Sequence, residues 1–252
     1  MPVNIHTLPE YSDEKTSLLQ LTDNFHDEGE LIVKGSRNII KSNTFQGQQV
    51  NIKYFKKPGA FNAVVYNFFR ESKAKRSFDY AVRLLKAGIR TPKPIAYIEE
   101  KTAFTLQSSY YICAQINYDF TFRELIHDPL WKDRDLILEQ FTEFTFRMHE
   151  NRINFLDHSP GNTLIVKRGE GQYDFYLIDL NRMTFEDLSI AQRMDNFKKL
   201  WLSKTMVKII ARKYAALSGE DPEQLQCILL EKTIAFKRRI TKKKWLKRKL
   251  KK

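Results

Sequence analysis

The chain is poor in residues that build covalent or metal frameworks. It has two cysteines, Cys113 and Cys227, far apart and with no C-x-x-C pair. That argues against a disulfide scaffold or a cysteine zinc site and fits a reducing compartment. No run of 18 or more apolar residues occurs, so no transmembrane helix is expected. The first residues, MPVNIHTLPEYSDEK, offer neither a basic nor an apolar leader region, so no signal peptide is expected. Glycine is scarce, at 9 of 252 residues, and forms no G-x-G-x-x-G loop. Acid is missing from the C-terminus: residues 237–252, KRRITKKKWLKRKLKK, hold eleven Lys or Arg and no Asp or Glu. Taking those eleven from the formal net charge of +13 leaves about +2 for residues 1–236. The body is nearly neutral and the tail makes the charge. A tail of this kind predicts an anionic partner: a lipid surface, an acidic saccharide or, less favoured here, nucleic acid. Its amphipathic signal is modest, since Ile240, Leu246 and Leu250 share one helical side and Trp245 does not.

What is present describes a globular chain. With 42% hydrophobic and 13% aromatic residues, 252 residues suffice for one full core or for two lobes sharing a cleft. Residues 1–28 are polar and show no period. Residues 30–34, 38–45 and 50–56 read as three antiparallel strands, with a turn at Gly35-Ser36-Arg37-Asn38 and a break at Lys57-Pro58-Gly59. KAKRSFDYAVRLLKA, residues 73–87, reads as a helix whose face is Phe78, Ala81, Val82 and Leu85. Strands follow at 95–98 and 105–116, with a break near Gln107-Ser108. A hinge is expected at Asn117 to Phe120. From Asp133 a helix carries Leu136, Ile137, Phe141, Phe144 and Met148 as its stripe. Strands at 163–167 and 174–178 and helices at roughly 188–217 and 221–240 complete the chain. Sheet first and helices later predicts an α+β, two-lobed, protein-kinase-like fold, with an antiparallel-sheet lobe over residues 1–116 and a mainly helical lobe over 117–252.

The chemistry concentrates between those lobes' signals. FLDHSPGN, residues 155–162, places Asn162 five residues after Asp157, and YLIDLN, residues 176–181, ends an apolar strand on Asp179. This is the base and metal layout of a kinase catalytic loop. One carboxylate accepts the proton of an attacking hydroxyl; an amide oxygen and a second carboxylate hold Mg²⁺ on nucleotide phosphates. The competing readings are an Asx-rich surface turn for the loop and a cap for Asp179. Lys53 in Val50-Asn51-Ile52-Lys53 resembles the strand lysine that contacts phosphates, with Lys56 as competitor on the other strand face. Gly35, Ser36 and Arg37 form a sparse phosphate-covering turn. Glu71 and Asp79 are the acids available to pair with Lys53, because Ser77 stands where an acid is expected. Arg182 either holds a substrate phosphate or pairs with Asp157 or Asp179. His149 and His158 read as structural.

Four segments, SKAKR at 72–76, GIRTPKPIAY at 88–97, DHSPGN at 157–162 and IDLNR at 178–182, resemble the lipopolysaccharide kinase family, the Kdo/heptose kinases. The resemblance runs from about Gly35 to Arg182, and the basic C-terminal helix is also typical. It implies a fold similar to protein kinases and transfer of the ATP γ-phosphate to a sugar hydroxyl of the lipid A–core. Asp157 would be the base, Asn162 and Asp179 the Mg²⁺ ligands and Lys53 the phosphate contact. Cytoplasmic placement is expected, with residues 237–252 on the anionic inner membrane face. Two positions depart from protein kinases: Phe155 replaces the His of H-R-D and Asn181 the Gly of D-F-G, the latter suggesting a constitutive enzyme. The rival readings are a kinase with a small-molecule or protein acceptor, and a non-catalytic kinase-like binding module.

Overall fold

The computed structural model describes residues 2–57 and 71–250, so the break expected at Pro58-Gly59 lies outside the described residues. The chain divides into two compact units, Met1–Asn117 and Tyr118–Lys252.

The first unit is built on a six-stranded antiparallel sheet. Its strands are β1 (Val3–Thr7), β2 (Glu30–Lys34), β3 (Asn38–Phe45), β4 (Gln48–Phe55), β5 (Pro94–Lys101) and β6 (Leu106–Ala114), in the order β1-β5-β6-β4-β3-β2. Period-2 alternation sends Val50, Ile52, Ala96, Ile98, Tyr110 and Ile112 into one buried cluster. Leu18 of helix α1 (Lys15–Asp23) and Phe25 complete that cluster. The polar N-terminal segment therefore supplies both an edge strand and a core helix, neither of which its sequence pattern announced. Helix α2 (Lys73–Lys86) begins at Ser72, whose hydroxyl accepts from Lys75 N at 3.0 Å, and its Phe78 ring lies 5.4 Å from that of Tyr97. Its buried face is Ala74, Ser77, Phe78, Ala81 and Leu84, while Leu85, expected inside, is exposed. β6 continues as one strand through Gln107-Ser108, and the break expected there is a register shift in its pairing with β5, between Glu100↔Ser108 and Lys101↔Leu106.

The second unit contains α3 (Phe122–His127), α4 (Arg134–Glu150), α5 (Ile190–Asn196), α6 (Lys204–Ser218) and α7 (Pro222–Lys249). A three-stranded sheet joins β7 (Phe120–Thr121), β9 (Thr163–Gly169) and β10 (Gln172–Leu177), and a two-stranded sheet pairs β8 (Ile153–Phe155) with β11 (Met183–Phe185). Helix starts are locally encoded. Thr121 and Glu124 form a capping box on α3, Ser189 and Gln192 one on α5, and Asp221-Pro222 opens α7. Gly219 ends α6 in the left-handed conformation that glycine adopts without strain. The core is aromatic, with Phe122, Phe141, Phe144, Phe175, Phe197 and Tyr214 buried. Leu136, expected in the α4 stripe, is exposed, whereas its neighbours Ile137 and Leu138 are fully buried. The helix expected at roughly 188–217 is two, separated by a 3-10 turn at Phe197–Leu200 and a left-handed Trp201. Among the described residues no helix is long and apolar enough to cross a membrane.

Candidate active site

Two short strands bring the chemistry of the second unit together. β8 runs into Asp157 and β11 leaves from Arg182; they pair with Phe155 opposite Met183. Beyond the pairing, Leu156 N donates to Arg182 O at 3.0 Å, so the DHSPGN and IDLNR segments emerge side by side. Within the loop, Pro160–Asn162 makes one 3-10 turn and Asn162 N donates to Ser159 O at 2.9 Å. The Asn162 side chain then donates from Nδ2 to Asp157 O at 2.9 Å, and its backbone carbonyl accepts from Ile178 N at 3.0 Å. Asn162 is thus fastened both to the loop that holds Asp157 and to the strand end that delivers Asp179. The structure brings Asp157, Asn162 and Asp179 together on adjoining segments, and the isolated surface-turn reading of the loop does not describe it.

Asp179 has φ +61, the left-handed region that costs a non-glycine residue about 1–2 kcal/mol. Its Oδ1 accepts from Asn181 Nδ2 at 2.6 Å. Asn181, at the position occupied by Gly in D-F-G, therefore orients this carboxylate. Strain of this kind, held in place by a hydrogen bond, gathers where a side chain has to be aimed.

Asp157 lies between two cations. Lys199 Nζ donates to its Oδ1 at 3.1 Å and Arg182 Nη1 stands 3.9 Å from its Oδ2. Of the pairings open to Arg182, the structure shows the one with Asp157. A third cation, Arg123 at the start of α3, lies against the SPGN turn so closely that a Cβ on Gly161 would collide with its guanidinium. Neither Lys199 nor Arg123 belongs to a local motif, and no spacing in the sequence ties them to residues 157–162.

The loop is anchored from below by buried histidines. Asn196 Nδ2 donates to Asn154 Oδ1 and Phe155 O, which leaves Asn196 Oδ1 to accept from His158 Nδ1 at 2.8 Å. His158 therefore carries a proton on Nδ1. Burial pushes its pKa down to about 4, and pushes that of His149, which meets Tyr214 OH at 2.9 Å, down to about 3. Both histidines are structural, as their sequence positions predict. Phe155 is buried in β8 with its ring 5.6 Å from His158.

In the first unit, Lys53 lies on the strand face opposite the Val50–Ile52 core, its ammonium 5.3 Å from the Phe55 ring. Lys56 falls beyond the end of β4. Gly35, Ser36 and Arg37 cap the β2–β3 hairpin, closed by Gly35 N donating to Asn38 O at 2.9 Å. The acids expected near Lys53 are otherwise engaged: Lys75 binds Glu71 at 3.0 Å and Asp79 at 2.5 Å. Lys75 stands four residues from each, Asp79 within the helix and Glu71 just before its N-cap, so both acids have a partner close in sequence. Ser77 is buried and donates to Lys73 O at 2.8 Å.

The model of the lipopolysaccharide kinase (Kdo/WaaP) family matches residues 37–225, most of the chain. The chain belongs to that family. It is accordingly a kinase of lipopolysaccharide biosynthesis, a phosphotransferase. No curated protein matches it by sequence. Among solved structures, WaaP in complex with acyl carrier protein is similar at TM-score 0.64 and 14% identity, over 96% of this chain and 99% of that one. The Rio2 kinase–ADP/Mg²⁺–phosphoaspartate complex from Chaetomium thermophilum is similar at TM-score 0.50 and 14% identity, over 90% of this chain and 77% of that one. The lipopolysaccharide kinase thus has the protein-kinase-like α+β fold.

Proposed function

We propose that this lipopolysaccharide kinase transfers the γ-phosphoryl group of ATP to a sugar hydroxyl, on Kdo or heptose, of the lipopolysaccharide inner core. The observation that carries this reading is the fastening of Asp157, Asn162 and Asp179 on adjoining segments. Asp157 accepts the proton as the acceptor oxygen bonds to phosphorus and the β–γ bridging bond breaks, releasing ADP. Lys53 contacts the nucleotide phosphates, and the backbone of Gly35–Arg37 covers them.

The donor set suits Mg²⁺. Among the described residues no three His, Cys, Asp or Glu cluster to form an all-protein metal site. Asn162 and Asp179 instead offer one amide oxygen and one carboxylate, the hard and sparse set that Mg²⁺ takes alongside substrate phosphates and water. With Nδ2 of Asn162 committed to Asp157 O, its Oδ1 is the atom left to coordinate. Bound there, the ion would neutralise phosphate charge.

The basic part of α7 would hold the enzyme on the anionic cytoplasmic face of the membrane, next to a lipid-borne acceptor. WaaP is described in complex with acyl carrier protein, and this motivates a search for a protein partner of this chain as well.

The deciding experiment is transfer of labelled phosphate from ATP to purified lipid A–core, with mass spectrometry of the saccharide to place the new phosphate. Asp157→Ala should lower kcat by about 10²–10⁴-fold, the range for loss of a general base. Full activity in that variant would overturn the assignment.

A further inference from the structure

DHSPGN carries Asp157 and Asn162 but no cationic side chain, since its only basic residue, His158, is buried and neutral. Of the two cations beside the base, the one hydrogen-bonded to it comes from 42 residues downstream. Lys199 Nζ donates to Leu156 O at 2.6 Å and to Asp157 Oδ1 at 3.1 Å, bridging the carboxylate to the backbone just before it. An exposed lysine on a free helix rarely holds one geometry, because its four-carbon stem keeps its rotamer freedom. Lys199 is different. Its 3-10 turn is fixed on both sides by Phe197 and Leu200, each fully buried. Asn196, three residues before it, is bonded to the catalytic segment at Asn154, Phe155 and His158. Its own side chain is 26% exposed and that of Asp157 is 30% exposed. The turn carrying Lys199 and the loop carrying Asp157 are thus clamped to each other by contacts other than the ion pair.

We propose that Lys199 is the positioning residue of the base. By holding Oδ1 it fixes the carboxylate plane, and Oδ2, which Arg182 Nη1 approaches only to 3.9 Å, outside hydrogen-bond reach, is the atom that accepts the proton of the acceptor hydroxyl. This rests on the kinase reading of Asp157. An ordinary surface ion pair would contribute little to stability and nothing to turnover. A positioning contact shows in turnover instead, since misplacing a reacting group by about 1 Å costs about 10²-fold.

The test uses the full chain with ATP and lipid A–core. Lys199→Met should lower kcat about 10²-fold while KM for ATP stays within about threefold, the signature of a loss confined to the transition state. Lys199→Arg, which can make both hydrogen bonds, should recover most of kcat. In the residual activity of Asp157→Asn, adding Lys199→Met should cost little more, because the two act as one unit. Wild-type kcat in Lys199→Met beside an inactive Asp157→Ala overturns this inference alone. So does a Lys199→Met loss that persists undiminished in the Asp157→Asn background. An active Asp157→Ala overturns the reading beneath it as well.

Discussion

At the scale of single residues, Asp179 separates function from stability. Its left-handed φ is unfavourable for any side chain and free for glycine. Asp179→Gly removes that strain and also removes the carboxylate that accepts from Asn181. Relief of about 1–2 kcal/mol offsets the loss of the carboxylate's contacts, the Asn181 bond of about 1 kcal/mol among them, so the net change in stability is small. Urea denaturation of the variant should therefore match wild type within about 1 kcal/mol, while phosphate transfer falls about 10²-fold or more. A variant that unfolds far more easily would mark Asp179 as a structural cap instead. This division explains which residues the sequence made legible. Asp157, Asn162 and Asp179 stand in short segments with fixed spacing, so their neighbours along the chain are their neighbours in space. Lys199 and Arg123 reach the same loop through tertiary packing, and nothing within ten residues of either announces it. The Glu71 and Asp79 expectation failed for the opposite reason: Lys75, one turn away, is a nearer partner than any strand lysine.

At the scale of elements, the catalytic loop is only as well placed as the clamp beneath it. β8, α4, α5 and α6 meet in a polar knot of His149, His158, Asn154, Asn196 and Tyr214 set within an aromatic core. Both histidines are held neutral, chiefly by burial, with Lys199 facing His158 and Arg193 facing His149 as further deterrents to a proton. Their folded pKa values, about 4 and about 3, lie below the ordinary 6.5. The unfolded chain therefore binds protons that the folded chain refuses. Their contribution is fully present above pH 6.5 and is lost as the pH falls from there through the folded values. Each histidine should steepen that loss by about 1.4 kcal/mol per pH unit. Urea midpoints at pH 7 and pH 5 check this: His149→Gln/His158→Gln should show a smaller drop than wild type, and an equal drop would assign the acid sensitivity elsewhere. Elements were legible where one face is apolar and poorly legible where it is mixed. α1 buries only Leu18 and Thr22, too few for a stripe. α2 buries Ala74 and Ser77 beside Phe78 and Leu84, so counting large apolar residues alone turned the helix toward Leu85.

At the scale of the whole molecule, the dominant asymmetry is charge. α7 is tied to its unit by Phe236, whose ring lies 5.9 Å from that of Trp201, by Lys237, which donates to Leu202 O at 2.8 Å, and beyond them only by the exposed Lys244, whose ammonium lies 6.0 Å from the Trp201 ring among the described residues. From Thr241 to Leu250 every residue is exposed, yet the helix continues to Lys249. These turns contribute almost no packing, so removing residues 241–252 should leave the thermal midpoint within about 2 °C, the range of surface changes. Attraction to an anionic bilayer is worth about 1 kcal/mol per basic residue near the surface. The deletion removes eight Lys or Arg, together with the half-exposed Trp245 and Leu246 that can enter the interfacial zone. Binding to vesicles of mixed neutral and anionic lipid should then fall from firm to undetectable in sedimentation. In the intact chain it should weaken steeply as salt rises from 0.05 to about 0.5 M, because screening shortens to a few ångströms over that range. Activity should divide in the same way. On acceptor dispersed in detergent the truncated chain should keep its kcat, since none of the deleted residues lies in the catalytic unit's core. On acceptor embedded in anionic vesicles it should lose rate through KM. Undiminished vesicle binding by the truncated chain would place the membrane contact elsewhere, and lost activity on the dispersed acceptor would make the tail part of the acceptor site rather than an anchor.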